Sequence, residues 1–228
     1  MKSRKYVYSD REDFVEHLDT LLQSGVSPAS YKAAMYELGK DLSEGLLRKI
    51  ESSDSFCLAS TAEDADFLSK GIIDSISGTV ADIKLACFWN YHSTPIKGQQ
   101  STAPIIRKFV ENGFKECKHL IITKSVISGS CVVKTNLTDL IEIMRPEKIY
   151  VVAPVMHVDA ERKLKMEFPE TISSKFIFET LVYDDEKSNE TSEVIPGIGG
   201  DVYRLLGFKS QEDKNTFTPE LVMQKMFA

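Results

Sequence analysis

The sequence lacks any run of 18 consecutive apolar residues, which is about the length that a helix needs to cross a membrane. Residues 1–14 also lack the apolar core of a secretory signal peptide. We therefore expect a cytoplasmic protein that has no membrane partner.

Cysteine is scarce and widely spaced. Cys57, Cys87, Cys117 and Cys131 form no Cys-x-x-Cys pair, and no histidine stands at ligand spacing from them. This pattern favours neither a zinc site nor a disulfide framework, so we expect no metal site and reduced thiols in an intracellular setting.

Positive charge is also in short supply. The 28 lysines and arginines are outnumbered by 34 acidic residues, which gives a net charge of −6. A protein that binds nucleic acid or an anionic membrane in general needs a basic surface. Small molecules or proteins are therefore the expected partners, and nucleic acid is not.

With 228 residues, 42% of them hydrophobic, the chain is long enough for one well-buried domain. Short apolar runs typical of buried strands alternate with stretches of helical periodicity. The predicted strands are 56–59, 83–89, 120–123, 148–155 and 175–183, and the predicted helices include 11–24, 28–50, 67–76, 104–114 and 132–144. This alternation predicts an α/β fold with a mainly parallel sheet flanked by helices, after a helical N-terminal segment.

The stretch 119–144 reads as strand, small-residue loop and helix. Ser128, Gly129 and Ser130 form the loop, at the point where a parallel sheet exposes helix N-termini and backbone N–H groups to a phosphate. The alternative is a plain turn in which small residues simply fit. Lys124 is the nearest cation, although a lysine in such a loop is more often a solvated surface group.

Two other polar stretches stand out. Residues 90–104 form either a mobile lid or a plain surface excursion, and His92 within them is expected to be solvated. The acidic run 184–193 is expected to be a solvated loop. After it, the glycine-rich turn 196–201 either presents backbone groups to the edge of a base or only caps the helix that starts at Asp201.

These segments match a known pattern. Asp185-Glu186, Asn189-Glu190 and the stretch 196–207 correspond to D-E-x-x-N-E and P-G-L-G-D-A-G-D-R-L-F-G, with Arg204, Leu205 and Gly207 in common. With the N-terminal helix and the 119–144 unit, they make the chain resemble the uracil phosphoribosyltransferase family from about residue 27 to residue 208.

The resemblance implies specific sites. The phosphate loop of the family corresponds to Ile127, Ser128, Gly129, Ser130 and Cys131, and its base-binding turn implicates Val194, Gly199, Gly200 and Asp201. It also implies a phosphoribosyltransferase-like domain at 27–208, between an N-terminal helical extension at 1–26 and a C-terminal tail at 209–228. An active member would use uracil and phosphoribosyl pyrophosphate with Mg²⁺, and members commonly form dimers or larger homo-oligomers.

The chain departs from the family at charged positions. Thr123 stands where the family has an acid near the ribose, and the stretch 61–64 replaces an arginine with two acids. A second arginine is missing near Trp89-Asn90, and Gly200 replaces an aspartate. Each lost clamp would cost several kcal/mol of transition-state stabilisation, on the order of a hundredfold in rate.

Three hypotheses follow. The first is an active uracil phosphoribosyltransferase that makes UMP and pyrophosphate. The second, which these departures favour, is a divergent relative that binds a pyrimidine nucleotide with weak or no transferase activity. The third is a structural or partner-binding protein whose site is empty. The sequence identifies no catalytic residue for another chemistry.

Overall fold

A computed structural model describes residues 4–9, 11–93, 102–188 and 193–227. The N-terminal half contains the following elements: β1 (Arg4–Tyr6), α1 (Asp13–Leu22), α2 (Pro28–Leu47), β2 (Ser55–Thr61), α3 (Ala62–Asp64), a π-helical turn (Ala65–Ser69), α4 (Lys70–Ile76), β3 (Asp82–Asn90), β4 (Ile105–Val110) and a 3₁₀ turn (Phe114–Glu116). Most of the predicted segment 90–104 lies outside the described residues, so the lid hypothesis stays a prediction.

The C-terminal half continues the alternation of strands and helices. Its elements are β5 (His119–Thr123), β6 (Val126–Ile127), α5 (Cys131–Met144), β7 (Lys148–Val152), β8 (Val155–His157), α6 (Ala160–Met166), α7 (Glu170–Ser173), β9 (Phe176–Glu179), β10 (Val182–Asp184), β11 (Glu186–Lys187), β12 (Val194–Ile195), α8 (Val202–Leu205), α9 (Gln211–Thr216) and α10 (Glu220–Met226).

The main sheet has six strands in the order β4-β3-β2-β5-β7-β9. All neighbouring pairs are parallel except the edge pair of β3 and β4. Helices pack on both faces, because each parallel strand must be covered on both sides. The predicted α/β class, with a mainly parallel sheet flanked by helices, is confirmed.

A second sheet combines the N-terminal strand β1 with three strands from the second half of the chain. It has the order β1-β10-β8-β6, in which β10, β8 and β6 are parallel and β1 is antiparallel to β10. A short antiparallel ribbon of β11 and β12 follows it. The predicted strands 148–155 and 175–183 are thus each divided, and their second halves belong to this second sheet.

Helix α2 covers one face of the main sheet. Ser27 caps it by accepting a hydrogen bond from the N–H of Ser30 at 3.1 Å, and Pro28 occupies the first turn, as the sequence predicts. Tyr31, Leu38 and Leu42 on its apolar stripe are fully buried. Helix α2 therefore forms the core on this face of the sheet together with α1.

Two predictions of local structure are wrong. Residues 104–114 contain no α-helix: β4 lies there, because the outer edge of β3 needs hydrogen-bonding partners that an antiparallel strand supplies. The run 184–193 does not begin as a solvated loop, since Asp184 is fully buried in an ion pair with Arg4, while residues 189–192 of the run lie outside the described residues. Within the described part of the chain, no helix has the length and apolar character needed to cross a membrane.

Candidate functional site

The candidate site lies where the parallel strands of the main sheet end. Strands β2, β3 and β5 finish at Thr61, Asn90 and Thr123, and the carboxyl ends of parallel strands meet at one edge of a sheet. Polar and charged residues collect there although they are largely buried. In open α/β sheets, ligands bind at this edge.

We call residues 127–131 the cradle. Strand β6 supplies Ile127, which is buried, while Ser128, Gly129, Ser130 and Cys131 are partly exposed at the start of α5. A Cβ atom added at Gly129 would have no atom within 4 Å, so the loop faces open space there. The arrangement places helical N–H groups behind a small-residue loop, which suits an anion.

The side chain of Ser130 is already engaged. Its hydroxyl donates to Glu167 at 3.0 Å, and Lys134 Nζ contacts the other oxygen of the same carboxylate at 2.5 Å. These two contacts hold the pKa of Glu167 below its ordinary range. An anion in the cradle would therefore be bound mainly by backbone N–H groups. The negative charge of Glu167 beside them is balanced by Lys134.

We call residues 194–201 the base turn. Val194 is buried in the ribbon, and Asp201 caps α8 by accepting from the N–H of Tyr203 at 3.0 Å. Gly199 has a φ of +89°, and an added Cβ would lie 2.2 Å from the carbonyl oxygen of Leu21. Only glycine fits that position. Gly200, by contrast, has a φ of +117° and no atom within 4 Å of an added Cβ.

The second sheet fixes the distance between the cradle and the base turn. Strand β6 leads directly into the cradle, β10 leads into the ribbon that carries the base turn, and β8 lies between them. Neighbouring strands are about 4.8 Å apart, so β6 and β10 are separated by roughly 10 Å. The starts of the two segments are thus separated by about the span of a small molecule.

Lys187 links the two segments. It pairs with Val194 in the ribbon, and its ammonium group donates to the carbonyl oxygen of Ser128 in the cradle. Burial, together with the nearby charge of Lys163, lowers the pKa of Lys187. Among the described residues, no carboxylate lies within ion-pair distance of this partly buried ammonium group.

A charge cluster lies beside the cradle. Lys124 Nζ contacts Glu63 at 3.1 Å and Asp64 at 2.8 Å, and all three side chains are at least 88% buried. Burial lowers the pKa of Lys124, but the two carboxylates outweigh this effect and raise it above its ordinary value. Lys124 is therefore not the solvated surface group that its place in a βα loop suggests.

The C-terminal segment completes this cluster. Lys214 on α9 is fully buried, lies 3.7 Å from Glu63 and donates to the carbonyl oxygen of Asn90 at 2.8 Å. Tyr203 on α8 contributes its ring, whose centroid lies 5.2 Å from the Lys214 ammonium. Two cations thus balance two carboxylates in the connection that follows β2.

Thr123 serves the structure of this edge. Its hydroxyl contacts that of Ser69 at 2.6 Å, and Ser69 contacts Ser60 at the same distance, in a fully buried chain of hydroxyl groups. Nearby, Asn90 exchanges side-chain hydrogen bonds with Asn136 at 2.8 and 3.1 Å. The side chains of Thr123 and Asn90 are uncharged, and both are engaged in these buried hydrogen bonds.

The donor set does not suit a resident Mg²⁺ ion. Glu63 and Asp64 already face two ammonium groups, and no group of three or more His, Cys, Asp or Glu side chains in the described ranges is arranged to hold a metal. A magnesium ion prefers octahedral coordination by oxygen ligands, several of which are usually water molecules.

Two cavities are found away from the cradle. One of about 740 Å³ lies between β1 and α6, lined by Lys5, Tyr183 and residues of α6, and one of about 200 Å³ lies against Arg204 and Pro28. The first is a shallow open depression, whose lining does not include either predicted segment. The chemistry of the carboxyl edge, rather than cavity size, identifies the candidate site.

Sequence reasoning missed Lys187, Lys214 and Tyr203. Lys187 lies in an acidic run and Lys214 in a polar C-terminal stretch, where a lysine is ordinarily solvated. The one available signal was the pair of adjacent acids Glu63-Asp64 in a buried βα connection, because buried carboxylates need cations from elsewhere in the chain.

No protein-family model matches the sequence, and no curated protein sequence matches it. Among solved structures, the AQ2163 protein from Aquifex aeolicus is similar with a TM-score of 0.67 and 13% identity, over 88% of this chain and 96% of that one. A hypothetical protein from Neisseria gonorrhoeae with bound ppGpp gives a TM-score of 0.46 and 11% identity, over 67% of this chain and 80% of that one.

Phosphoribosyltransferases are among the structural neighbours. The hypoxanthine-guanine phosphoribosyltransferase of L. donovani gives a TM-score of 0.41 and 9% identity, over 71% of this chain and 82% of that one. At these identities a likeness concerns the fold alone. The chain therefore shares the α/β fold of the AQ2163 protein over nearly the full length of both.

Proposed function

We propose that this protein binds a nucleoside monophosphate at the carboxyl edge of its main sheet, and that it transfers phosphoribose weakly or not at all. The phosphate would lie in the cradle and the base against the base turn. The observation that carries this proposal is Lys187, a partly buried ammonium group at the cradle with no carboxylate partner among the described residues. A partly buried cation that no described carboxylate neutralises is costly, and a phosphate would compensate it.

The cradle offers further ligands for a phosphate. The open space at Gly129 lets an oxygen approach the backbone, and the N-terminus of the 14-residue helix α5 favours negative charge. Uracil is the first base to test, because the stretch 194–207 resembles the base-binding turn of uracil phosphoribosyltransferases. Gly200 there leaves room for a flat base.

Weak or absent transferase activity is proposed from the charge cluster. Release of magnesium pyrophosphate needs cations at the leaving group, whereas Glu63 and Asp64 supply anions whose partners, Lys124 and Lys214, are already engaged. Thr123 also offers no charge to an oxocarbenium-like transition state. Each charged group that is missing would cost several kcal/mol of transition-state stabilisation, on the order of a hundredfold or more in rate.

Calorimetric titration with UMP and IMP tests the binding. We expect saturable UMP binding, reduced at least about tenfold in Gly129→Asp because a carboxylate a few Å from the phosphate costs about 1–4 kcal/mol. Gly78→Asp is the matched control, because Gly78 likewise has no atom within 4 Å of an added Cβ and the change in net charge is the same. This control should bind UMP within about twofold of the unmodified protein.

The same preparation tests the transfer reaction. Incubation with labelled uracil, phosphoribosyl pyrophosphate and Mg²⁺ should yield UMP slowly or not at all. Rapid formation of UMP would show an active uracil phosphoribosyltransferase and refute the proposed loss of activity. If neither UMP nor IMP binds, the cradle argument fails and a structural or partner-binding role replaces it.

A further inference from the structure

The base turn needs an external support to hold one conformation. Gly197, Gly199 and Gly200 all have positive φ, and glycine loses more conformational freedom on ordering than any other residue. A turn that must present backbone groups in fixed directions cannot rely on its own side chains. Its restraint must therefore come from residues elsewhere in the fold.

One ion pair holds both backbone groups of Gly197. Asp184 Oδ2 accepts from the Gly197 N–H at 2.9 Å and from Arg4 Nη2 at 2.7 Å, and Arg4 Nη2 also donates to the Gly197 carbonyl oxygen at 2.7 Å. Arg4 Nε donates to the remaining oxygen, Oδ1, at 2.8 Å. The two side chains are 9% and 0% exposed, so water competes little for these bonds.

The two residues are brought together by strand pairing, not by sequence. Arg4 and Asp184 are register partners in the antiparallel pair of β1 and β10, 180 positions apart in the chain. The same sheet ends at β6, which leads into the cradle. The ion pair therefore connects the base turn to the same sheet that leads into the cradle.

We infer that Arg4 and Asp184 are positioning residues that support binding of the base by fixing the base turn relative to the cradle. A buried ion pair is a poor source of stability, since apolar residues of similar volume often serve as well. A planar, five-donor guanidinium group that binds a carboxylate and a carbonyl at once is instead suited to fixing geometry. The inference rests on the proposed nucleotide binding, because only a bound base makes the position of the turn matter.

The consequence is a separation of two affinities. Contacts to the base depend on the Arg4–Asp184 pair, whereas contacts to the phosphate depend on the cradle and Lys187. Arg4→Lys keeps the charge but loses the forked geometry. It should therefore weaken UMP binding about tenfold, since one misplaced hydrogen bond to the base is worth up to about that much. The affinity for ribose 5-phosphate should change less than about twofold.

The test is calorimetric titration of both ligands, with hydrogen exchange followed by mass spectrometry, on the unmodified protein, Arg4→Lys and Asp184→Asn. Lys5→Gln is the matched control, because Lys5 lies next to Arg4 on β1 and pairs with Tyr183 rather than Asp184. Arg4→Lys and Asp184→Asn should exchange faster in a peptide covering 194–206, with unchanged exchange in 119–144. Lys5→Gln should match the unmodified protein in every measurement.

Each outcome separates the inference from the proposed function. Equal weakening of UMP and ribose 5-phosphate binding, or unchanged exchange in 194–206, would overturn the positioning role. If the unmodified protein binds neither ligand, the proposed nucleotide site fails and the positioning of a base through Arg4 fails with it. Faster exchange confined to 194–206 would in that case show that the ion pair restrains the turn without serving a ligand, which also overturns the inference.

Discussion

At the scale of single residues, Lys124 illustrates how this protein stabilises charge in its interior. It contacts both Glu63 and Asp64, and Lys214 on α9 approaches the same carboxylate of Glu63. Oε2 of Glu63 is buried and has no hydrogen-bond partner among the described residues. The cluster is thus balanced in charge but not fully satisfied in hydrogen bonds.

Removal of one cation should show this dependence. We expect Lys124→Met to lower the free energy of unfolding by about 3–5 kcal/mol, because it leaves two buried carboxylates with one cation. Urea denaturation measures the change. In Lys70→Met, which removes an exposed ion pair to Asp74, the loss should stay below about 1 kcal/mol. Similar losses in the two variants would show that the buried cluster has no special role.

The pKa of Glu63 leads to a pH prediction. Burial raises it, but the charges of Lys124 and Lys214 outweigh burial and hold it below the ordinary value of 4.5. A carboxyl group whose pKa is lower in the folded state stabilises the protein above its unfolded pKa and loses that contribution as the pH falls through the folded pKa. The stability that Glu63 provides should therefore be present at neutral pH and disappear in acid.

The variant Glu63→Gln measures this contribution directly. At pH 7 it should be less stable than the unmodified protein, and the difference in unfolding free energy should shrink as the pH falls below about 5. Urea denaturation at several pH values gives the curve. The exposed Glu12→Gln serves as control. A difference that is constant or grows in acid would contradict the depressed pKa of Glu63.

At the scale of elements, glycines determine how helix α2 packs. An added Cβ at Gly39 would lie 2.2 Å from the carbonyl oxygen of Leu68, and one at Gly71 would lie 2.1 Å from that of Tyr36. These two glycines let α2 and α4 approach closely. From the sequence alone Gly39 only weakens the helix, whereas in the fold its missing side chain makes the contact.

The variant Gly39→Ala tests this packing. Alanine has the higher helix propensity by about 1 kcal/mol, yet we expect a net loss of unfolding free energy of about 1–3 kcal/mol because the helices must move apart. Gly78→Ala is the control, since an added Cβ there meets nothing within 4 Å. Thermal unfolding should shift down for Gly39→Ala only. A stabilised Gly39→Ala protein would show that the two helices adjust without cost.

At the scale of the whole molecule, the segment 209–227 belongs to the core of the protein. Leu221 and Val222 are 6% and 1% exposed, and Asp66 accepts hydrogen bonds from the N–H groups of Glu220 and Leu221 at 2.8 and 2.9 Å. The carbonyl oxygen of Phe217 also accepts from the indole of Trp89 at 2.7 Å. This segment therefore packs against the carboxyl end of β3, where Lys214 is buried.

Deletion of residues 209–228 should destabilise the protein strongly. Loss of two buried aliphatic side chains alone is worth about 3–6 kcal/mol, and Glu63 would lose one of its two cations. The control removes only residues 227–228, since Phe227 is 87% exposed. Chemical denaturation compares the two truncated proteins. An unchanged unfolding midpoint in the longer deletion would refute a structural role for the segment.

The class of the fold and several boundaries of its elements could be predicted from the amino-acid sequence alone. Buried strands are apolar runs, so 120–123 and its neighbours were predictable, and the caps at Ser27 and Asp201 follow from local hydrogen bonding that needs no tertiary contact. The small-residue loop at 127–131 and the glycine turn were also visible. Local chemistry is encoded in neighbouring residues, which is why these features could be found.

The joint roles of residues that are far apart in the chain follow only from their arrangement in three dimensions. The stretch 105–110 has helical spacing but forms a strand, because the exposed edge of β3 requires a partner. Lys124, Lys187 and Lys214 have the sequence context of surface groups, yet burial and distant partners fix their roles. Electrostatic energy depends on distances in space and on desolvation, and neither quantity can be obtained from spacing along the chain.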